Sequence, residues 1–315
     1  MKQLALEFLR VTQTAAIAAL PWVGRGRKHE ADEAATAAMR RVLRQIQMDG
    51  VVVIGEGEMD EAPMLYIGEK TGTGQGPQID IAVDPLEGTN LVAGGQNNST
   101  AVIAAAPRGA LLHAPDMYME KLAAGAGAGG VIDIGLPVAD NVLRVAAALG
   151  KPLREMTVSV QSRERHQAAI DAIRETGAKV RLFDDGDVTC AIAAAMEESG
   201  IDLFYGIGGA PEGVISAVAV KCLGGDMQAR LLPASEAEHE RCLRMGLSDP
   251  CGRLTLQDMV ASDECVFAAT GITPGPLLSG IAHASGGRLL THSLLTSGPS
   301  GVHFIRSMHA GSMAG

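Results

Sequence analysis

Apolar positions recur at helical spacing near the start of the chain. Leu4, Leu6, Phe8, Leu9, Val11 and Ile17 fall mostly on one face, and Pro21 ends the helix they predict. A basic loop, Gly24-Arg-Gly-Arg-Lys-His29, leads to an alanine-rich helix predicted from about 30 to 47 and stopped by Gly50. Strands and helices then alternate. Strands are predicted at 51–54, 78–83 and 100–106, then a helix at 140–149 and a strand at 156–160. Helices at 164–176, 187–198, 211–223 and 235–245 interleave with strands at 178–183, 201–206 and 226–232. Strand-like runs at 265–269, 288–290 and 302–305 follow, and 308–315 reads as a tail. Such alternation predicts a layered α/β fold, which places ligands at strand ends. No internal repeat or long linker interrupts it. A division near 145–150 predicts halves at 1–148 and 149–315, able to pack as one unit.

Length and composition narrow the class. At 315 residues, 47% hydrophobic and 20% charged, the chain can bury a large core and is no disordered or solvating segment. Only 3% of residues are aromatic and the net charge is −10, which disfavours nucleic acid and anionic membranes as partners. A phosphorylated substrate remains compatible, because carboxylates that gather divalent cations invert the local field. Five cysteines without a CxxC pair predict free thiols in a reducing cytoplasm. Glu7 and Arg10 interrupt the early apolar runs, which argues against a signal peptide.

Four constellations could carry chemistry. In Asp84-Pro85-Leu86-Glu87-Gly88-Thr89, two carboxylates and a hydroxyl follow a strand. They suit Mg²⁺ or Mn²⁺, which prefer oxygen ligands, although acids in these places also cap helices. Gly55-Glu56-Gly57-Glu58-Met59-Asp60-Glu61 crowds four acids into a turn that favours a cation, or forms a solvated acidic loop. Glu56, between two glycines, stands out as a ligand, and Asp60 could orient an attacking water with Thr89. Gly206-Ile-Gly-Gly209-Ala-Pro211-Glu212-Gly213 ends a strand in glycines whose N–H groups could cradle an anion, with Glu212 available to a cation. The plain alternative is a tight strand–helix turn. Arg163-Glu164-Arg165-His166 and Asp185-Gly186-Asp187 suit phosphate binding through arginine forks, or a solvated helix face with an aspartate cap. Gly125-Ala-Gly-Ala-Gly-Gly130 matches GxGxxG but leads into the strand-like 131–134 rather than a helix, so it is no dinucleotide motif. The remaining histidines lack zinc-ligand spacing, and no GxSxG elbow is present.

Together these blocks resemble the class II fructose-1,6-bisphosphatases of bacteria, within the lithium-sensitive, metal-dependent sugar phosphatases. The likeness spans nearly the whole chain, through Lys28 to Asp32, VIGEGE at 53–58, DPLEGTN at 84–90, PDMYM at 115–119, 180–188, GIGGAPEG at 206–213, KCLGG at 221–225 and 288–294. It implies a layered α/β sandwich of that type and Mn²⁺ or Mg²⁺ held by Asp32, Glu56, Asp84, Glu87 and Glu212. Asp32 carries no signal of its own within its helix. The likeness implies substrate contacts at Glu87, Gly88, Thr89, Tyr118, Arg163, Glu164, Arg165, Asp185, Gly186, Asp187 and Gly209. Lys28, Asp60 and Thr89 are implied to assist the reaction. The family usually has proline where this chain has Glu164, and a carboxylate beside a phosphate is unfavourable, so any contact there falls to the backbone.

The implied activity is hydrolysis of the C1 phosphate of fructose 1,6-bisphosphate, in gluconeogenesis or a related sugar-phosphate cycle. The likeness also implies a homodimer or homotetramer. Three rivals remain open at this stage, of which an inositol- or nucleotide-phosphate phosphatase is allowed by DPLEGT alone and disfavoured by the other blocks. Sedoheptulose 1,7-bisphosphate, alone or beside the fructose ester, is separated by comparing kcat/KM. A non-catalytic sugar-phosphate sensor is separated by metal-dependent turnover, and the presence of Asp60 and Thr89 argues against it.

Overall fold

The computed structural model describes residues 1–57, 64–298 and 301–310. Helix α1 (Ala5–Ala19) turns Phe8, Leu9, Val11, Ala15 and Ala19 inward, and the chain leaves it through a 3-10 turn containing Pro21. Phe8 is fully buried, so truncating it to alanine should cost about 3–5 kcal/mol. Helix α2 (Lys28–Leu43) ends short of the expected 47. Ile46 and Met48, two residues apart, are both buried, and a helix would have turned them to different faces.

Four strands follow: β1 (Asp49–Ile54), β2 (Lys70–Thr71), β3 (Gln78–Glu87) and β4 (Thr100–Pro107), with the short helix α3 (Thr89–Gly94) between the last two. Next come β5 (Tyr118–Ala124), α4 (Val138–Leu149), β6 (Thr157–Gln161) and α5 (Gln167–Glu175). After them run β7 (Lys179–Phe183), α6 (Asp187–Ala194), β8 (Leu203–Gly209) and α7 (Ala210–Cys222). Then β9 (Asp226–Leu231), α8 (Glu236–Arg244), β10 (Leu254–Thr255) and α9 (Leu256–Met259) lead to β11 (Val266–Gly271), β12 (Ala282–His283), β13 (Leu289–Ser297) and β14 (Val302–His309).

The expected layered α/β architecture is present as two mixed sheets, one in each of two compact units. Residues 1–108 and 264–315 form the first unit, and residues 109–263 the second. A division at 148/149 would instead fall within the second unit, at the last residue of α4. The cause is that β11–β14 return to the first sheet, whose order is β12-β13-β11-β4-β3-β1-β2 with β14 on β13. Among the described residues only β1 and β3 pair in parallel there. β13 extends well beyond the expected 288–290 because β11, β12 and β14 all pair with it.

The second sheet runs β10-β9-β5-β8-β6-β7, parallel where β6 meets β7 and β8 and antiparallel elsewhere. Leu122, Val142, Val145, Val158, Val160, Ile170, Ile173 and Leu203 form one core cluster in this unit. Strand β5 was not foreseen from sequence, since Glu120 and Lys121 break its apolar run, yet it lies inside the sheet between β9 and β8. The GxGxxG segment forms a 3-10 turn at Ala126–Ala128, and the expected strand-like 131–134 is loop.

Candidate active site

The first unit carries a carboxylate cluster. Asp84 and Glu87 share strand β3, where a spacing of three residues would normally point them to opposite faces. Between them the register against β4 shifts: Asp84 pairs with Val102 and Glu87 with Thr100, so Pro85 and Leu86 stand opposite a single residue. Pro85, which has no N–H to give a ladder, sits in this bulge, and Asp84 Oδ1 accepts the Leu86 N–H at 3.0 Å. The bulge turns both carboxylates to one side, with oxygens within 4.8 Å of each other. Gly88 follows at φ 81°, a left-handed conformation that glycine adopts without strain, and starts α3 with Thr89 as its first residue.

Asp32 reaches the same cluster from α2. Burial first, and then the neighbouring Asp84 charge, push its carboxyl up to about 6, against the pull of His29 and a hydrogen bond with Glu56. Glu56 lies just past the end of β1, where its N–H donates to the Leu65 carbonyl at 3.1 Å. Lys28 opens α2 and is exposed, one helical turn before Asp32. Asp60 lies outside the described residues. Oxygen-only donors, close enough that the Asp84 charge raises the proton affinity of Asp32, match a hard divalent cation. Asp32, Glu56, Asp84 and Glu87 fit Mg²⁺ or Mn²⁺ on that ground.

The second unit gathers the residues expected at a sugar phosphate. Register places Tyr118 directly across from Gly209. The Arg165 guanidinium lies 5.2 Å from the centre of the Tyr118 ring, while its Nε donates to the Ile207 carbonyl at 3.0 Å and its Nη2 to Gln161 Oε1 at 2.7 Å. Arg163 pairs with Asp185. Gly186 at φ 85° turns the chain into α6, with Asp187 as its first residue. Glu164 starts a 3-10 turn and is exposed, with no salt-bridge partner among the described residues. Glu212 lies in the first turn of α7 and folds back on Gly209, where an added Cβ would stand 1.9 Å from its Oε2.

Three residues that organise this unit were not foreseen as such. Gln161 also donates to Asp185 Oδ1 at 3.2 Å, so it ties the arginine-bearing segment and the Asp185 turn to β6. His166 is fully buried; its Nε2 accepts the Ile207 N–H at 2.8 Å, which leaves Nδ1 to donate to the Gln161 carbonyl at 2.9 Å. Burial, and then the charge of Arg165, hold its pKa below 6.5 and keep it neutral. Lys121 is buried on β5 and pairs with Asp187. A charge inside an apolar strand was the available signal for Lys121, and the missed strand hid it.

The oxygen donors of the first unit suit metal-dependent phosphoryl chemistry, carried on a mixed α/β scaffold. Residues 2–309 match the family described as bacterial fructose-1,6-bisphosphatase, glpX-encoded. The chain is 50% identical over 323 aligned residues to the class 2 fructose-1,6-bisphosphatase 1 of Escherichia coli K12, covering 98% of this chain and 95% of that one. Against the class 2 enzyme of Haemophilus influenzae it is 48% identical, covering 98% and 96%. Among solved structures, an inositol monophosphatase from Anabaena sp. PCC 7120 is 14% identical, covers 79% of this chain and 97% of its own, and has a TM-score of 0.41. The chain belongs to the bacterial, glpX-encoded fructose-1,6-bisphosphatase family.

Proposed function

We propose that this chain hydrolyses fructose 1,6-bisphosphate at its C1 phosphate, giving fructose 6-phosphate and inorganic phosphate. Family membership supports the reaction, and the observation that carries its metal dependence is the convergence of Asp32, Glu56, Asp84 and Glu87. These four residues, together with Glu212, would hold Mn²⁺ or Mg²⁺. When bound, such ions supply a nucleophile at neutral pH and offset negative charge on the phosphoryl oxygens. The Thr89 hydroxyl and the Asp60 carboxylate would aim the attacking water, with the carboxylate taking its proton, and Lys28 would assist through its ammonium. Arg163 and Arg165 offer fixed guanidinium donors to the distal phosphate, and Tyr118 flanks them. Asp185, Gly186, Asp187 and Gly209 orient the sugar, and Glu87, Gly88 and Thr89 meet the reacting phosphate. The carboxylate of Glu164 takes no part, and any contact at that position is through its backbone.

All five cysteines are free thiols, in keeping with a reducing, cytoplasmic setting, and the proposed assembly is a homodimer or homotetramer. No described helix is long and apolar enough to cross a membrane. The test is phosphate release from fructose 1,6-bisphosphate by metal-stripped protein, with and without added Mn²⁺ or Mg²⁺. Release only with metal supports the reading, and no release from folded protein with either metal overturns it.

A further inference from the structure

A lysine occupies the interior of the second unit. On β5, Tyr118, Glu120 and Leu122 face one side of the sheet, and Met119 and Lys121 face the other, toward α6 and α7. The Lys121 side chain is 1% exposed, and its Nζ donates to Asp187 Oδ2 at 2.5 Å and to the Gly209 carbonyl at 3.0 Å. Glycines make room for it. An added Cβ on Gly208 would stand 2.5 Å from Asp187 Oδ2 and 3.0 Å from the ammonium. On Gly213 a Cβ would meet Met119 Sδ at 2.4 Å and the Lys121 stem at 3.2 Å. Gly208 and Gly213 thus make room for the Lys121–Asp187 pair, beyond the turn they form.

That pair joins two segments that approach from different elements: the first residue of α6 and the last residue of β8. With one carboxylate oxygen engaged, the Asp187 side chain is held in a single direction. Its charge is also offset, as Arg163 offsets that of Asp185. An anionic sugar phosphate therefore meets a turn whose two acids each have a cation of their own, rather than two uncompensated negative charges.

We propose that Lys121 is a positioning residue for substrate binding, acting through Asp187 rather than by touching the phosphate. The inference rests on the assignment above of Asp187 to the sugar-phosphate pocket.

A double-mutant cycle tests it, using Lys121→Met, Asp187→Asn and the pair combined in the metal-loaded protein. Lys121→Met should raise KM for fructose 1,6-bisphosphate by about tenfold with kcat within about threefold, the scale of one charged hydrogen bond. The double variant should match Asp187→Asn in KM, since the lysine has no carboxylate left to position, and should melt above Lys121→Met, since no half-buried carboxylate is left without its cation. If Lys121→Met is too unstable to assay, the comparison of the double variant with Asp187→Asn decides alone. A further rise of KM in the double variant would mean direct contact with the phosphate and overturn the proposal. So would a Lys121→Met variant that melts lower with KM unmoved, which is a purely structural role. Fructose 6-phosphate affinity, measured by calorimetry on the same variants, needs no turnover. Wild-type protein that binds fructose 6-phosphate without hydrolysing the bisphosphate would therefore count against the proposed reaction and leave this inference testable.

Discussion

Asp84 and Glu87 are three residues apart on one strand and still turn their carboxylates to the same side, because a bulge at Pro85 and Leu86 inserts one extra residue between them. The chain thereby brings two anions together on a rigid sheet, an arrangement that a bound cation relieves. Removing one of them should matter far more for chemistry than for folding. Asp84→Asn should lower phosphate release by about a thousandfold or more, the scale of losing a main electrostatic contact to the transition state. Its Tm in EDTA should stay near or above that of the wild type. Steady-state assays across a Mn²⁺ titration check this, and near-normal kcat would remove Asp84 from the metal site.

Asp32 makes a prediction for metal-free protein. Its carboxyl keeps its proton up to about pH 6 in the fold but loses it near 3.8 when unfolded. The native state thus binds more protons between those values, and the stability this group contributes falls as pH rises through that window. In EDTA, Asp32→Asn should gain stability relative to wild type between pH 4 and pH 7.5. With saturating Mg²⁺ the order should reverse, because only the wild type gains the full binding energy of the ion. Melting curves at both pH values, with and without metal, test the sign.

Arg165 offers a test of substrate binding separate from the chemistry. It is held by the Ile207 carbonyl, by Gln161 and against the Tyr118 ring. Arg165→Ala should raise KM by about tenfold or more with a smaller change in kcat, since it removes binding shared by the ground and transition states. Arg165→Lys should recover little, because an ammonium cannot reproduce the planar fork. A fall in kcat at constant KM would instead place Arg165 in the transition state.

His166 predicts an acid-side weakness. An unfolded imidazole takes up its proton near pH 6.5, and the buried one only at lower pH. The unfolded state therefore binds more protons just below 6.5, so this contribution is whole above that pH and is lost as pH falls. His166→Leu should cost about 1–3 kcal/mol at pH 8 by leaving the Ile207 N–H without its acceptor. The variant should also lose less stability than the wild type on acidification from pH 7 to 5. Denaturant melts at the two pH values would show equal slopes if His166 were not the titrating group.

Much of the layered architecture was legible along the chain. Hydrophobic period sets α1, and the strands and helices of 156–232 fall within a few residues of expectation because each has an apolar face and a glycine or proline boundary. The motif blocks were legible too, since glycine-flanked acids and paired arginines are local patterns. Strand β5 was not, because its two charges make sense only once Glu120 meets Tyr205 and Arg230, and Lys121 meets Asp187, all remote in sequence.

The sequence by itself determined the element types, the acidic turns, the anion-binding arginines and the family. Those depend on spacing over a few residues, or on whole-chain likeness. Tertiary structure decided the rest: the return of β11–β14 to the first sheet, the bulge that aligns Asp84 with Glu87, the arrival of Asp32 beside them and the buried lysine behind Asp187. Each of these is a contact between segments far apart in the chain. No local pattern encodes such contacts, because their energy arises only when burial and charge from both partners are present together.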